Sequence, residues 1–138
     1  MPTSPKIYVL DSFALFTFFQ AEEPAASMVR DLLQKAERGE VDLFLSIMNL
    51  AEIYYITAKK IDHQVAQSIK QDSLNLPLSL VSVSDKQVLD AAEIKSNYNI
   101  SICDVFLVAV AQELGGVIVT GDPELHEVES FMSILWLT

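Results

Sequence analysis

The chain has 138 residues, a formal net charge of −10, one cysteine and two histidines. That length is one ordinary domain, expected to span residues 1–138, and 51% apolar residues suffice for a core without disulfides or zinc. Cys103 alone excludes an intrachain disulfide, His63 and His126 form no recognisable ligand pair, and the acidity argues against broad non-specific binding of nucleic acid.

In chain order, residues 7–10 are a continuous apolar run, as expected of a strand buried on both faces. Asp11 ends it, and residues 12–19 read as a short helix. Pro24 suits a helical first turn, with Glu22 and Glu23 at the positive end of the helix dipole. Ala25, Met28, Val29, Leu32, Leu33 and Ala36 then keep the helical period until Gly39. Residues 41–45 predict a second strand, and Ser46 can cap a helix running to about Lys60. A helix over 63–73 and a strand over 78–83 follow. Ser84 with Gln87, and Ser101 with Asp104, read as capping boxes that open helices ending near Ser96 and before Gly115. Residues 116–120 predict a fourth strand and 134–137 a short fifth.

This alternation predicts an α/β fold: an open sheet of four to five mainly parallel strands flanked by helices. The apolar stretches 13–19 and 105–111 are far shorter than the ~20 residues that span a bilayer. Asp11 interrupts the apolar run after Lys6 and no small-residue cleavage site follows, so a cytoplasmic location and no membrane partner are expected.

Open parallel sheets form their sites beyond the carboxyl ends of the strands, where strand order reverses. Asp11 follows the first strand and Asp122 the fourth. Glu52 lies in the second turn of a helix that starts at the carboxyl end of strand two. Asp104 lies in the first turn of the helix antiparallel to strand four. All four can therefore fall on one rim. Clustered carboxylates repel one another unless protonated or neutralised by cations, and oxygen-only ligands favour Mg²⁺ or Mn²⁺. Bound cations would also reverse the local field of an acidic protein.

Each acid has a structural alternative. Asp11 could cap the following helix, Glu52 could emerge on a solvent stripe with Asn49 and Lys59, Asp104 could serve only the Ser101 capping box, and Asp122 could be a turn residue between Gly121 and Pro123. Asn49 shares a helix face with Glu52 and could orient a ligand. Cys103 reads as a packing residue. Trp136 and the many Phe residues read as core rather than as a base-stacking platform.

Four segments, VLDSFAL (9–15), SIMNLAEI (46–53), DVFLVAVA (104–111) and VIVTGD (117–122), together resemble the PIN domain family, and within it the VapC-type toxins of toxin–antitoxin pairs. The resemblance implies a Mg²⁺- or Mn²⁺-dependent endoribonuclease. In it Asp11, Glu52, Asp104 and Asp122 would carry the metal and the activated water, and the Ser12 and Thr120 hydroxyls would support the acids. It also implies an RNA substrate, a small antitoxin and a homodimer. The sequence departs from the family after Asp122, where Pro123-Glu124-Leu125 leaves Glu124 as a possible substitute for Asp122. Basic residues are few, with Lys59-Lys60 the only adjacent pair, which leaves the RNA-binding surface undefined. A non-catalytic PIN-like protein-binding module is the alternative function. A receiver or haloacid-dehalogenase-like phosphatase ranks lower: Phe13 stands where the phosphatase pattern wants a second Asp, and no Lys follows the last strands.

Overall fold

A computed structural model describes residues 5–138; Met1, Pro2, Thr3 and Ser4 lie outside the described residues. The elements are β1 (Lys6–Leu10), α1 (Ser12–Phe19), α2 (Ala25–Glu37), β2 (Val41–Ser46), α3 (Ile47–Lys60), α4 (His63–Leu74), β3 (Ser79–Val81), α5 (Asp85–Asn97), α6 (Ile102–Leu114), β4 (Val117–Thr120) and β5 (Ile134–Trp136). A 3-10 helix over Pro123–Val128, with no counterpart in the sequence reading, lies between the last two strands.

The five strands form one sheet in the order β3-β2-β1-β4-β5, and every pairing is parallel. The chain winds outward from β1 to β3, then returns to the other side of β1 for β4 and β5. Strand order therefore reverses between β1 and β4, and the crevice beyond their carboxyl ends is the switch point.

The two-residue period of the strands divides the core. Val9 and Ile118 point to the face covered by α5 and α6, where they pack with Ala91, Ile94, Val105 and Val108. Leu10, Val119, Leu43 and Leu45 point to the opposite face, where they meet Ala14 and Leu15 of α1, Val29 and Leu33 of α2, and Leu50 and Ile53 of α3. Helix α6 is buried continuously from Cys103 to Ala111, which explains its unbroken apolar sequence.

Local signals set the helix ends. Ser84 and Ser101 accept hydrogen bonds from the N–H groups of Gln87 and Asp104, as the capping pattern predicts. The reciprocal half of the first box does not form: Gln87 Nε2 donates to Glu113 on α6, and Gln87 Oε1 stays buried without a partner. Helix α6 stops at Gly115, whose φ of 65° is left-handed, and the Gly116 N–H closes onto Ala111 O at 2.9 Å. A Cβ at Gly115 would meet nothing within 4 Å, so the penalty there is one of backbone conformation alone. Gly115→Ala should cost about 1 kcal/mol in urea unfolding, with the m-value unchanged.

Candidate metal centre

The register Leu10↔Val119 sets the next residues, Asp11 and Thr120, side by side at the switch point. Asp11 is 2% exposed and caps α1: its Oδ1 accepts from the Ala14 N–H at 2.8 Å. The capping role is thus real, yet it occupies one oxygen only. The other accepts from the Thr120 hydroxyl, and Thr120 Oγ1 in turn accepts the Asp122 N–H at 2.9 Å. This relay ties the turn after β4 to the end of β1.

Pro123 then starts the 3-10 helix, with Asp122 Oδ1 accepting the Glu124 N–H at 3.0 Å. The tight turn swings Glu124 back toward α6. Asp104, Asp122 and Glu124 there offer carboxylate oxygens within 4.8 Å of one another. Asp122 and Glu124, alternatives in the sequence, both reach the cluster. Asp104 is 4% exposed, and its Oδ2 is buried without a hydrogen-bond partner. Its carboxylate does not complete the capping box with Ser101, because its neighbour is Glu124.

The charge of Asp11 stands close enough to make Asp104 harder to ionise, and those of Glu52 and Asp122 do the same to Asp11. Glu52 is not one of the three converging acids. It borders the site from α3, half-buried between Asp11 and Cys103. Burial pushes the Asp11 carboxyl up to about 7, and Thr120 and Ala14 only partly oppose that. Burial, then hydrogen bonding with Glu124, then the charges of Asp11, Asp122 and Glu124 push Asp104 up to about 9. Glu124 is held below its usual range, first by the hydrogen bond with Asp104. Burial also pushes the Cys103 thiol up to about 12, which removes it as a nucleophile at neutral pH.

Ser12 departs from its expected role. Its hydroxyl donates to the Asn49 carbonyl at 3.1 Å and accepts from Asn49 Nδ2 at 3.3 Å, so it supports no acid directly. The reason is geometric: the first turn of α1 faces α3 rather than β4. Asn49 is fully buried and clamps those two helices together.

Phe13 departs from the core role expected of the phenylalanines. Phe13 is 37% exposed and its ring lies against Gly121, the residue before Asp122. It faces a cavity of about 520 Å³ whose wall also includes Glu52, Phe16, Ile56, Lys60 and Asp122. Its position two residues after Asp11 was the available signal, hidden within an apolar run.

The site donors are all oxygens, and a buried carboxylate oxygen without a partner is expensive unless a proton or cation meets it. That arrangement fits a hard divalent cation such as Mg²⁺ or Mn²⁺ and does not fit zinc or copper.

An all-parallel α/β sheet with carboxylates gathered at its switch point marks a protein built to hold a cation beside an anionic substrate. The family model described as the PIN domain matches residues 8–130, so this chain belongs to the PIN domain family. No functionally curated protein matches the sequence. Among solved structures, it is similar to a chain of VapBC2 from Rickettsia felis bound to a promoter DNA fragment, at 17% identity over 96% of this chain and 99% of that one, with a TM-score of 0.72. A chain of DNA-bound VapBC from Salmonella typhimurium is similar at 16% identity over 96% and 99%, again with a TM-score of 0.72. VapC20 of Mycobacterium tuberculosis, a toxin that cleaves the sarcin–ricin loop, is similar at 15% identity over 92% and 96%, with a TM-score of 0.69. At these identities the likeness is one of fold. Among the described residues no helix is long and apolar enough to cross a membrane.

Proposed function

We propose that the protein is a Mg²⁺- or Mn²⁺-dependent endoribonuclease of the VapC type, the toxin of a toxin–antitoxin pair. The observation that carries this reading is the buried, unpartnered Asp104 Oδ2 beside Asp122 and Glu124, at the switch point of a PIN-family sheet. Asp104, Asp122 and Glu124 would hold the cation, with Asp11 and Glu52 completing the site. When bound, the ion offsets the carboxylate charge and lowers the pKa of a water to make a nucleophile at neutral pH.

The chain's own groups do the positioning. Thr120 and the Ala14 N–H fix both oxygens of Asp11, so that carboxylate presents one orientation to the site. Asp122 is fixed by the Glu124 N–H on its Oδ1 and by its own N–H on Thr120. Glu52 sits in the cavity wall with Asp122, where its carboxylate can take a proton from water attacking a phosphodiester. Cys103 is buried and its thiol is held protonated, which sets it aside as a covalent nucleophile. Hydrolysis by water in one displacement, with no covalent enzyme intermediate, is part of the proposal.

A small antitoxin, a homodimer and a cytoplasmic location belong to the same proposal. The VapBC assemblies among the structural relatives support the first of these. Purified protein should cleave single-stranded RNA in Mn²⁺ or Mg²⁺, lose that activity in EDTA, and lose it in Asp11→Asn. Metal-independent cleavage, or none with either ion, would sink the reading.

A further inference from the structure

Phe13 is one of several exposed apolar side chains, and the one among them that lies against the backbone beside Asp122. One side of it is occupied by the Gly121 backbone. A Cβ at Gly121 would lie 2.2 Å from Phe13 Cε1 and 2.6 Å from Cζ, so the ring takes the space any side chain there would need. The φ of Gly121 is not left-handed, so its backbone conformation does not call for glycine. Space for the Phe13 ring does.

The remainder of the ring faces the cavity of about 520 Å³, within the size range of small-ligand sites. Glu52 and Asp122 line the same cavity, so a ligand there would touch the ring and the acids together. The wall also holds the apolar Ile53, Ile56 and Ile61, with Gln20 for hydrogen bonding, a third acid in Glu22, and Lys60 as its one cation. Affinity for a polyanion normally comes from basic residues. A protein of net charge −10 with a single lysine in this wall needs another source of contact energy. Stacking on an aromatic ring supplies it, and only a base free of its complementary strand presents a face to such a ring.

We propose that Phe13, backed by Gly121, is the stacking platform for an unpaired nucleobase adjoining the scissile phosphate. It is a specificity-determining residue that selects single-stranded RNA. The assignment rests on the ribonuclease reading. It predicts that the substrate is sensed first through a base and only weakly through its flanking phosphates.

The test is steady-state cleavage of short single-stranded oligoribonucleotides in Mn²⁺ by wild type, Phe13→Leu, Phe13→Trp and Gly121→Ala, each checked by thermal melting. Phe13→Leu should raise KM roughly ten-fold with kcat little changed, and Phe13→Trp should restore it. Gly121→Ala should reproduce the Leu defect by displacing the ring. An abasic ribonucleotide beside the scissile bond should penalise wild type by a similar factor and Phe13→Leu hardly at all. Equal kcat/KM for wild type and Phe13→Leu, or equal abasic penalties in both, would overturn the platform while the ribonuclease reading stood. Should wild type cleave no RNA, the ribonuclease reading falls. The platform is then decided by titrating Phe13→Trp with the same oligonucleotide: quenching beyond that of wild type, whose only tryptophan is Trp136, supports it, and its absence overturns it.

Discussion

Asp104→Asn should lower Mn²⁺-dependent RNA cleavage roughly a thousand-fold, the scale of losing a principal electrostatic group from an active site. The substitution keeps the shape of the side chain and the N–H to Ser101 that caps α6. It removes only the capacity to become a carboxylate. Burial, with Glu124 beside it, pushes Asp104 well above the usual carboxylate range, which favours its neutral form in the metal-free protein. Asparagine imitates that neutral form, and the melting temperature at pH 8 without metal should move by only a degree or two. Metal binding, in contrast, must displace the proton. Mn²⁺ should raise the melting temperature of wild type increasingly from pH 6 to pH 8.5, and Asp104→Asn should lose most of that rise. Unchanged activity and an unchanged Mn²⁺ shift in Asp104→Asn would reduce Asp104 to a helix-terminal acid.

Without metal, wild-type stability should fall as pH rises from 4 to 8, and Asp11→Asn should remove much of the fall. The folded Asp11 carboxyl sits at about 7 against an ordinary 3.8, so between those values the folded chain holds a proton that the unfolded chain has released. Stability therefore declines with rising pH across that window. A displacement of roughly three pH units corresponds to about 4 kcal/mol at full ionisation. Asn is nearly as good a helix cap as Asp, so the α1 cap survives the substitution. Thermal melts should show Asp11→Asn several degrees more stable than wild type at pH 8 and nearly equal to it at pH 4. Taking the difference between the two proteins cancels the general repulsion of an acidic chain. Were Asp11→Asn destabilised equally at both pH values, Asp11 would be a cap and nothing more.

Both effects come from the same arrangement, in which acids are buried next to one another with too few internal donors. The strain is local. Thr120 satisfies one oxygen of Asp11, and Asp104 Oδ2 has no donor at all. A site of this kind gives up stability in the metal-free state and regains it when a cation is held, as the proposed activity needs.

The alternation of apolar runs and capped periodic segments was enough to place each strand and helix within about two residues, because those signals are local. The 3-10 helix after Asp122 was missed, since Pro123 and the acids around it read equally well as a plain turn. That omission is why Asp122 and Glu124 looked like alternatives. Only a tight helical turn presents both toward α6. The Thr120 hydroxyl reaches Asp11, whereas the Ser12 hydroxyl turns to Asn49. Each follows or ends a strand, and their separate roles depend on which neighbour the side chain faces.

The sequence by itself determined that apolar strands alternate with helices, that the chain folds as α/β, and that Asp11, Glu52, Asp104 and Asp122 lie near carboxyl ends of strands. Covalent spacing and helix direction suffice for that. Only the tertiary structure decided the order β3-β2-β1-β4-β5, because a strand buried on both faces carries no mark of which neighbour it pairs with. It also decided that Glu124 joins the acids, that Glu52 borders them, and that Phe13 stays half in water against Gly121. These outcomes depend on side chains from segments distant in sequence competing for the same few ångströms, and no local pattern records who wins.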